Sequence, residues 1–76
     1  MLNERKITWC ENWLKATFKK YASIELNHLF ERANKAGLYD LGTYGSEFSE
    51  ALNNVGAKFT ARCDEDGNFK YHTVSI

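Results

Sequence analysis

The chain has 76 residues, with Lys and Arg at 10 against Asp and Glu at 10, so its formal charge at pH 7 is zero. That length makes one domain, residues 1–76, which buries only a little more than half of the surface its unfolded form exposes. A neutral balance excludes a general polycation: counterion release by Lys and Arg supplies most non-specific nucleic-acid affinity, so such binding needs a lopsided charge distribution.

Aromatic residues, 14% of the chain, must carry the core, each removing about 150–250 Å² from water when buried. Cys10 and Cys63 are too few for a disulfide framework and read as small buried hydrophobes suited to a reducing cytoplasm. The start, M-L-N-E-R-K-I, is charged and lacks the apolar core of a signal peptide. No apolar run approaches membrane-spanning length. There is no proline, internal repeat or linker, and an initial Met without tails reads as a complete protein. Cytoplasmic localisation is the expectation.

Asn3 is placed to cap a first helix, with Glu4 in its first turn. Ile7, Cys10, Leu14, Phe18 and Tyr21 recur at helical spacing and define one apolar face, flanked by Trp9, Trp13 and Ala16. Lys15, Lys19 and Lys20 suit the negative end of the helix dipole. The tryptophan pair reads first as partly buried core; its alternative use is a homodimer through helix one.

At 21–25 the pattern breaks. Either Ser23 caps a second helix or 23–25 run briefly extended. Leu26, Leu29, Phe30 and Ala33 then follow i, i+3, i+4, i+7. Gly37 suits the left-handed position after a helix, and Leu38 the apolar contact of a Schellman cap. His28, with no second ligand at helical spacing, reads as a satisfied or exposed histidine.

Residues 38–46 read as a turn. Ser46 is the preferred N-cap of a third helix, with Glu47 and Glu50 in its first turn. Phe48, Ala51, Leu52 and Val55 repeat the amphipathic spacing, and Gly56 ends it.

From Ala57 the period becomes 2. A type I turn at Glu65 and Asp66 with Gly67 left-handed pairs Cys63 with Phe69 and Ala61 with Tyr71. That register gathers Phe59, Ala61, Cys63, Phe69 and Tyr71 on one face and leaves Lys58, Arg62, Lys70 and His72 on the other.

Catalytic and metal chemistry find little footing. Asp64, Asp66 and Asn68 have the wrong glycine position and no closing Glu for an EF-hand, so they read as a polar turn. Cys10, His28, Cys63 and His72 lack paired zinc spacing. No nucleophile–base arrangement follows from spacing, and Glu47 and Glu50 are explained by the helix N-terminus. The chain reads as a non-enzyme without cofactors.

The element order, helix, short extended bridge at 23–25, helix at 26–36, turn at 38–46, helix at 47–55 and hairpin at 59–74, resembles a winged helix-turn-helix domain over nearly the whole chain. The resemblance is architectural and implies an α+β fold of three helices with a C-terminal two-stranded wing. It implies double-stranded DNA as partner and a role as a small transcriptional regulator. Tyr44, Ser46, Ser49, Glu50 and Asn53 would then face bases, and Lys58, Arg62 and Lys70 would meet phosphates. Asn can read adenine and Glu can accept from cytosine, but the third helix has no Arg or Lys. Winged helix domains also serve as protein-interaction modules, including in phage and mobile-element proteins that bind host proteins. The neutral charge, acidic third helix and aromatic surplus point that way.

Overall fold

The computed structural model describes residues 2–39 and 47–76. In order these form α1 (Glu4–Lys20), β1 (Ile24–Glu25), α2 (Leu26–Lys35), α3 (Glu47–Asn54), β2 (Lys58–Cys63) and β3 (Phe69–Ser75). Among the described residues the fold is α+β, with three helices against a three-stranded antiparallel sheet in the order β1-β3-β2. The expected hairpin is present as β2 and β3, but the sheet is not two-stranded. Of the two readings at 23–25 the extended one holds: Ile24 and Glu25 pair with Val74 and Thr73.

Local chemistry sets the helix ends. The Asn3 side-chain oxygen accepts hydrogen bonds from the Arg5 and Lys6 amides at 3.0 and 3.2 Å, satisfying two donors that the first turn leaves free. At the end of α2, Leu38 N–H donates to Ala33 O at 2.9 Å and Gly37 N–H to Asn34 O at 3.0 Å, the two bonds of a Schellman motif. Gly37 accordingly has φ +77°, a conformation that glycine adopts without a Cβ clash. α3 ends the same way, with Ala57 bonded to Leu52 and Gly56 to Asn53. Each motif turns an apolar residue, Leu38 or Ala57, back onto the core.

The core lies where the three helices meet β3. Cys10 and Leu14 from α1, Leu29 and Ala33 from α2, Phe48, Ala51 and Leu52 from α3, and Val74 are buried. Phe48 is central: its ring meets Trp13 at 6.0 Å, Phe30 at 5.8 Å and Tyr39 at 5.6 Å, all edge-on, the geometry aromatic quadrupoles favour. Trp13 therefore belongs to the core, while Trp9 stays exposed. Tyr21 falls outside the core and is also exposed.

The hairpin turn forms as expected. Gly67 has φ +83°, its N–H donates to Asp64 O at 3.1 Å, and Cys63 pairs with Phe69. Beyond that pair the expected register fails. Arg62 pairs with Tyr71, Ala61 with His72 and Phe59 with Val74, so Lys70 is the extra residue of a β-bulge. The cause lies outside the hairpin. A straight ladder would set Val74 opposite Lys58 and turn it away from the helices, because a one-residue slip moves every side chain to the other face. The bulge preserves both the turn and the burial of Val74 between Ile24 and Phe59.

A deletion pair tests this account by urea unfolding. Removing Lys70 straightens the ladder while keeping every other pair, and should change stability by no more than about 1 kcal/mol. Removing Ala61 sets Lys58 opposite Val74 on the inner face and should cost about 2 kcal/mol or more, the burial of one large apolar side chain.

Candidate nucleic-acid interface

The expected interface combines α3 with the hairpin. Of the residues expected to face bases, Tyr44 and Ser46 lie outside the described residues. Ser49, Glu50 and Asn53 are exposed on α3. This follows from the helix period, since Phe48, Ala51 and Leu52 take the inner face. Glu47 opens the helix. Its carboxylate Oε1 accepts a hydrogen bond from the Asn3 amide at 3.3 Å and so ties the start of α1 to the start of α3. Its own amide, and then that of Asn3, hold its carboxyl below the usual range, with a smaller contribution from Lys6. The acidic first turn is thus partly engaged in structure.

The hairpin supplies the chemistry. Residues directly opposite on antiparallel strands share a face, so the bulge sorts the strands into two distinct surfaces. One carries Lys58, Thr60 and Arg62 across from Ser75, Thr73 and Tyr71. All six side chains can donate hydrogen bonds, and β2 and β3 place no carboxylate among them. Glu25 of β1, opposite Thr73, borders this face; its carboxylate lies 3.6 Å from the exposed His28 imidazole. The second surface carries Phe59, Ala61 and Cys63 across from Val74, His72 and Phe69.

Two expectations from the sequence do not hold. Tyr71 joins the basic face and His72 the apolar one, an exchange caused by the extra residue Lys70. His72 then reaches the Phe69 ring at 4.8 Å between centroids. Cys63 is exposed, not buried, because the outer half of the hairpin extends beyond the helices. Phe59 and Phe69 are 53% and 58% exposed on the same surface. Cys10, in contrast, is buried as expected; its thiol donates to Leu38 O at 3.7 Å, and burial pushes it above its ordinary pKa.

Lys58, Arg62 and Lys70 are all exposed, Lys70 at the bulge itself. Beyond them lies the tip, Asp64, Glu65 and Asp66. Asp64 Oδ1 accepts from the Asp66 and Asn68 amides at 2.9 Å each, an Asx-type turn that fixes the loop. Among the described residues no group of three potential metal ligands converges.

One arrangement had no signal in the sequence. Arg32 of α2 lies 4.8 Å over the Tyr21 ring and its Nη2 donates to the Tyr21 hydroxyl at 3.4 Å. That bond, and the cation's charge, lower the pKa of the phenol. With Trp13, Ala16, Thr17 and Lys20 the pair lines an open cleft of about 270 Å³. The partners are 11 residues apart, Tyr21 as the residue that caps the end of α1 and Arg32 on α2, a separation that no periodicity marks.

No helix among the described residues is long and apolar enough to cross a membrane. Comparison with protein-family models, with curated proteins and with solved structures finds no match to this chain.

Proposed function

We propose that the chain is a winged helix-turn-helix protein that binds double-stranded DNA, and that the hairpin supplies most of its affinity. The fold reading is supported by the order α1-β1-α2-α3-β2-β3 with β3 central in the sheet. The observation that carries the function is the hairpin face of Lys58, Thr60, Arg62, Tyr71, Thr73 and Ser75. These are the side-chain types that bind phosphate and sugar oxygens, with no opposing carboxylate on either strand. α3 has no cation, so it contributes modest selectivity through Ser49, Glu50 and Asn53. The role is that of a small cytoplasmic regulator without catalytic activity.

The test is titration of random duplex DNA at several salt concentrations. Three phosphate contacts, by Lys58, Arg62 and Lys70, give a slope of log affinity against log salt of about −2.7 per protein copy. Absence of binding at low salt would remove the proposal. A second reading is favoured by one observation, the half-exposed Phe59 and Phe69 with Cys63 on the opposite surface: a protein partner covers that face. Under this reading Phe69→Ser abolishes partner binding and leaves any DNA binding intact.

A further inference from the structure

We infer that two copies of the chain associate through the free edge of β2, in antiparallel register with Ala61 on the two-fold axis, to make a continuous six-stranded sheet. This does not depend on what the hairpin face binds. Among the described residues β2 is an outer strand of the sheet and is exposed along its whole length. The bulge lies in the central strand β3, so β2 itself is regular over its six residues. Sheet edges are blunted by bulges, proline, very short strands or charged side chains; β2 has no bulge or proline and is six residues long, and its only such devices are the charges of Lys58 and Arg62.

The backbone phase follows from the turn. Asp64 N–H donates to Asn68 O and Thr60 O accepts from the Thr73 hydroxyl. Asp64, Arg62, Thr60 and Lys58 therefore direct their backbone groups toward β3. By the alternation of antiparallel ladders Phe59, Ala61 and Cys63 direct theirs outward. A second β2 can use them only if odd-numbered residues meet odd-numbered residues, which also matches apolar face to apolar face and donor face to donor face.

Overlap and side-chain charge then select among the permitted registers, since those centred on Phe59 or Cys63 pair only part of the six-residue strand. With Thr60 on the axis, Lys58 of each copy meets Arg62 of the other, and opposed like charges destabilise a strand pair. With Arg62 on the axis, the two guanidinium groups meet. With Ala61 on the axis, Lys58 meets Asp64, Phe59 meets Cys63, Thr60 meets Arg62 and Ala61 meets itself. Asp64 Oδ1 is taken by the turn amides, which leaves Oδ2 to accept from the Lys58 ammonium. The half-exposed Phe59 gains an apolar neighbour, and the zero formal charge of the chain imposes no long-range repulsion between copies.

Sedimentation equilibrium and circular dichroism on the full chain and two variants test the inference. The wild type should move from 8.8 kDa toward twice that mass as concentration rises. Ala61→Pro removes an outward N–H, a position where edge strands tolerate proline, and should give a folded monomer with an unchanged spectrum. Lys58→Glu sets two carboxylates opposite each other at both ends of the contact and should weaken association about tenfold. In the register centred on Thr60 the same substitution would face Arg62 and strengthen association. A wild type that stays monomeric at millimolar concentration overturns the inference, as does an Ala61→Pro variant that is folded and still dimeric. Strengthening by Lys58→Glu overturns the register.

Discussion

Replacing Phe48 with alanine should leave the protein largely unfolded at 37 °C. The side chain is fully buried and touches rings from α1, α2 and the segment after α2. Truncating a buried phenylalanine costs about 3–5 kcal/mol, the lost transfer free energy plus the cavity left behind. At ~0.05–0.15 kcal/mol per residue, a domain of this length has about 4–11 kcal/mol in total, so one substitution removes a large share. Relaxation cannot easily refill the space, because Trp13, Phe30 and Tyr39 meet Phe48 edge-on from separate elements. Phe48→Leu keeps most of the volume and should cost about 1.5 kcal/mol or less. Urea unfolding followed by far-UV circular dichroism gives the stability, and tryptophan fluorescence adds a local report, since Trp13 lies against Phe48. Equal midpoints for wild type and Phe48→Ala would mean that the helices are not organised around this ring.

The elements that the sequence makes legible are those whose causes are local. Helical spacing identifies Cys10, Leu14, Leu29, Ala33, Phe48, Ala51 and Leu52, and all are buried. The Asn3 cap and the Schellman end at Gly37 involve groups within a few residues of each other. The turn at Gly67 is likewise set by the residues within it. The bulge at Lys70 is different in kind. Its cause is Val74, which must face Ile24 across a strand pair spanning 50 residues of sequence, and hairpin patterning alone carries no trace of that demand. The exposure of Cys63, Phe59 and Phe69 was hidden for a related reason: alternation tells which residues share a face, but not how far the helices extend to cover it. The same limit applies to the candidate interface. Lys58 and Arg62 share a face at any register because they lie four residues apart on one regular strand, whereas Tyr71 joins them only once the bulge is known. Tyr21 shows the reverse error, an aromatic at core spacing that takes Arg32 as its partner at the end of α1.

If the hairpin is the main source of DNA affinity, reversing its charges should reduce salt sensitivity as well as affinity. In Lys58→Glu with Arg62→Glu, two phosphate contacts are lost, so the slope of log affinity against log salt should fall in magnitude from about 2.7 to about 0.9. Affinity at low salt should fall by about a hundredfold or more, and the loss should be similar for every sequence tested, because phosphate contacts carry no base information. Both residues are exposed and project from the donor face, so the fold should survive. Circular dichroism of the variant checks that point. α3 should behave in the opposite way. Asn53→Ala removes a side chain able to bond adenine, and should leave the salt slope unchanged while reducing discrimination between sites by about 1–3 kcal/mol. If the double reversal binds as well as wild type with the same slope, the donor face does not meet phosphate. If Asn53→Ala changes the slope, α3 touches the backbone and not the bases. The two variants together therefore divide the work between the basic hairpin and the acidic helix, whose opposite charges make a single uniform DNA-binding face physically implausible.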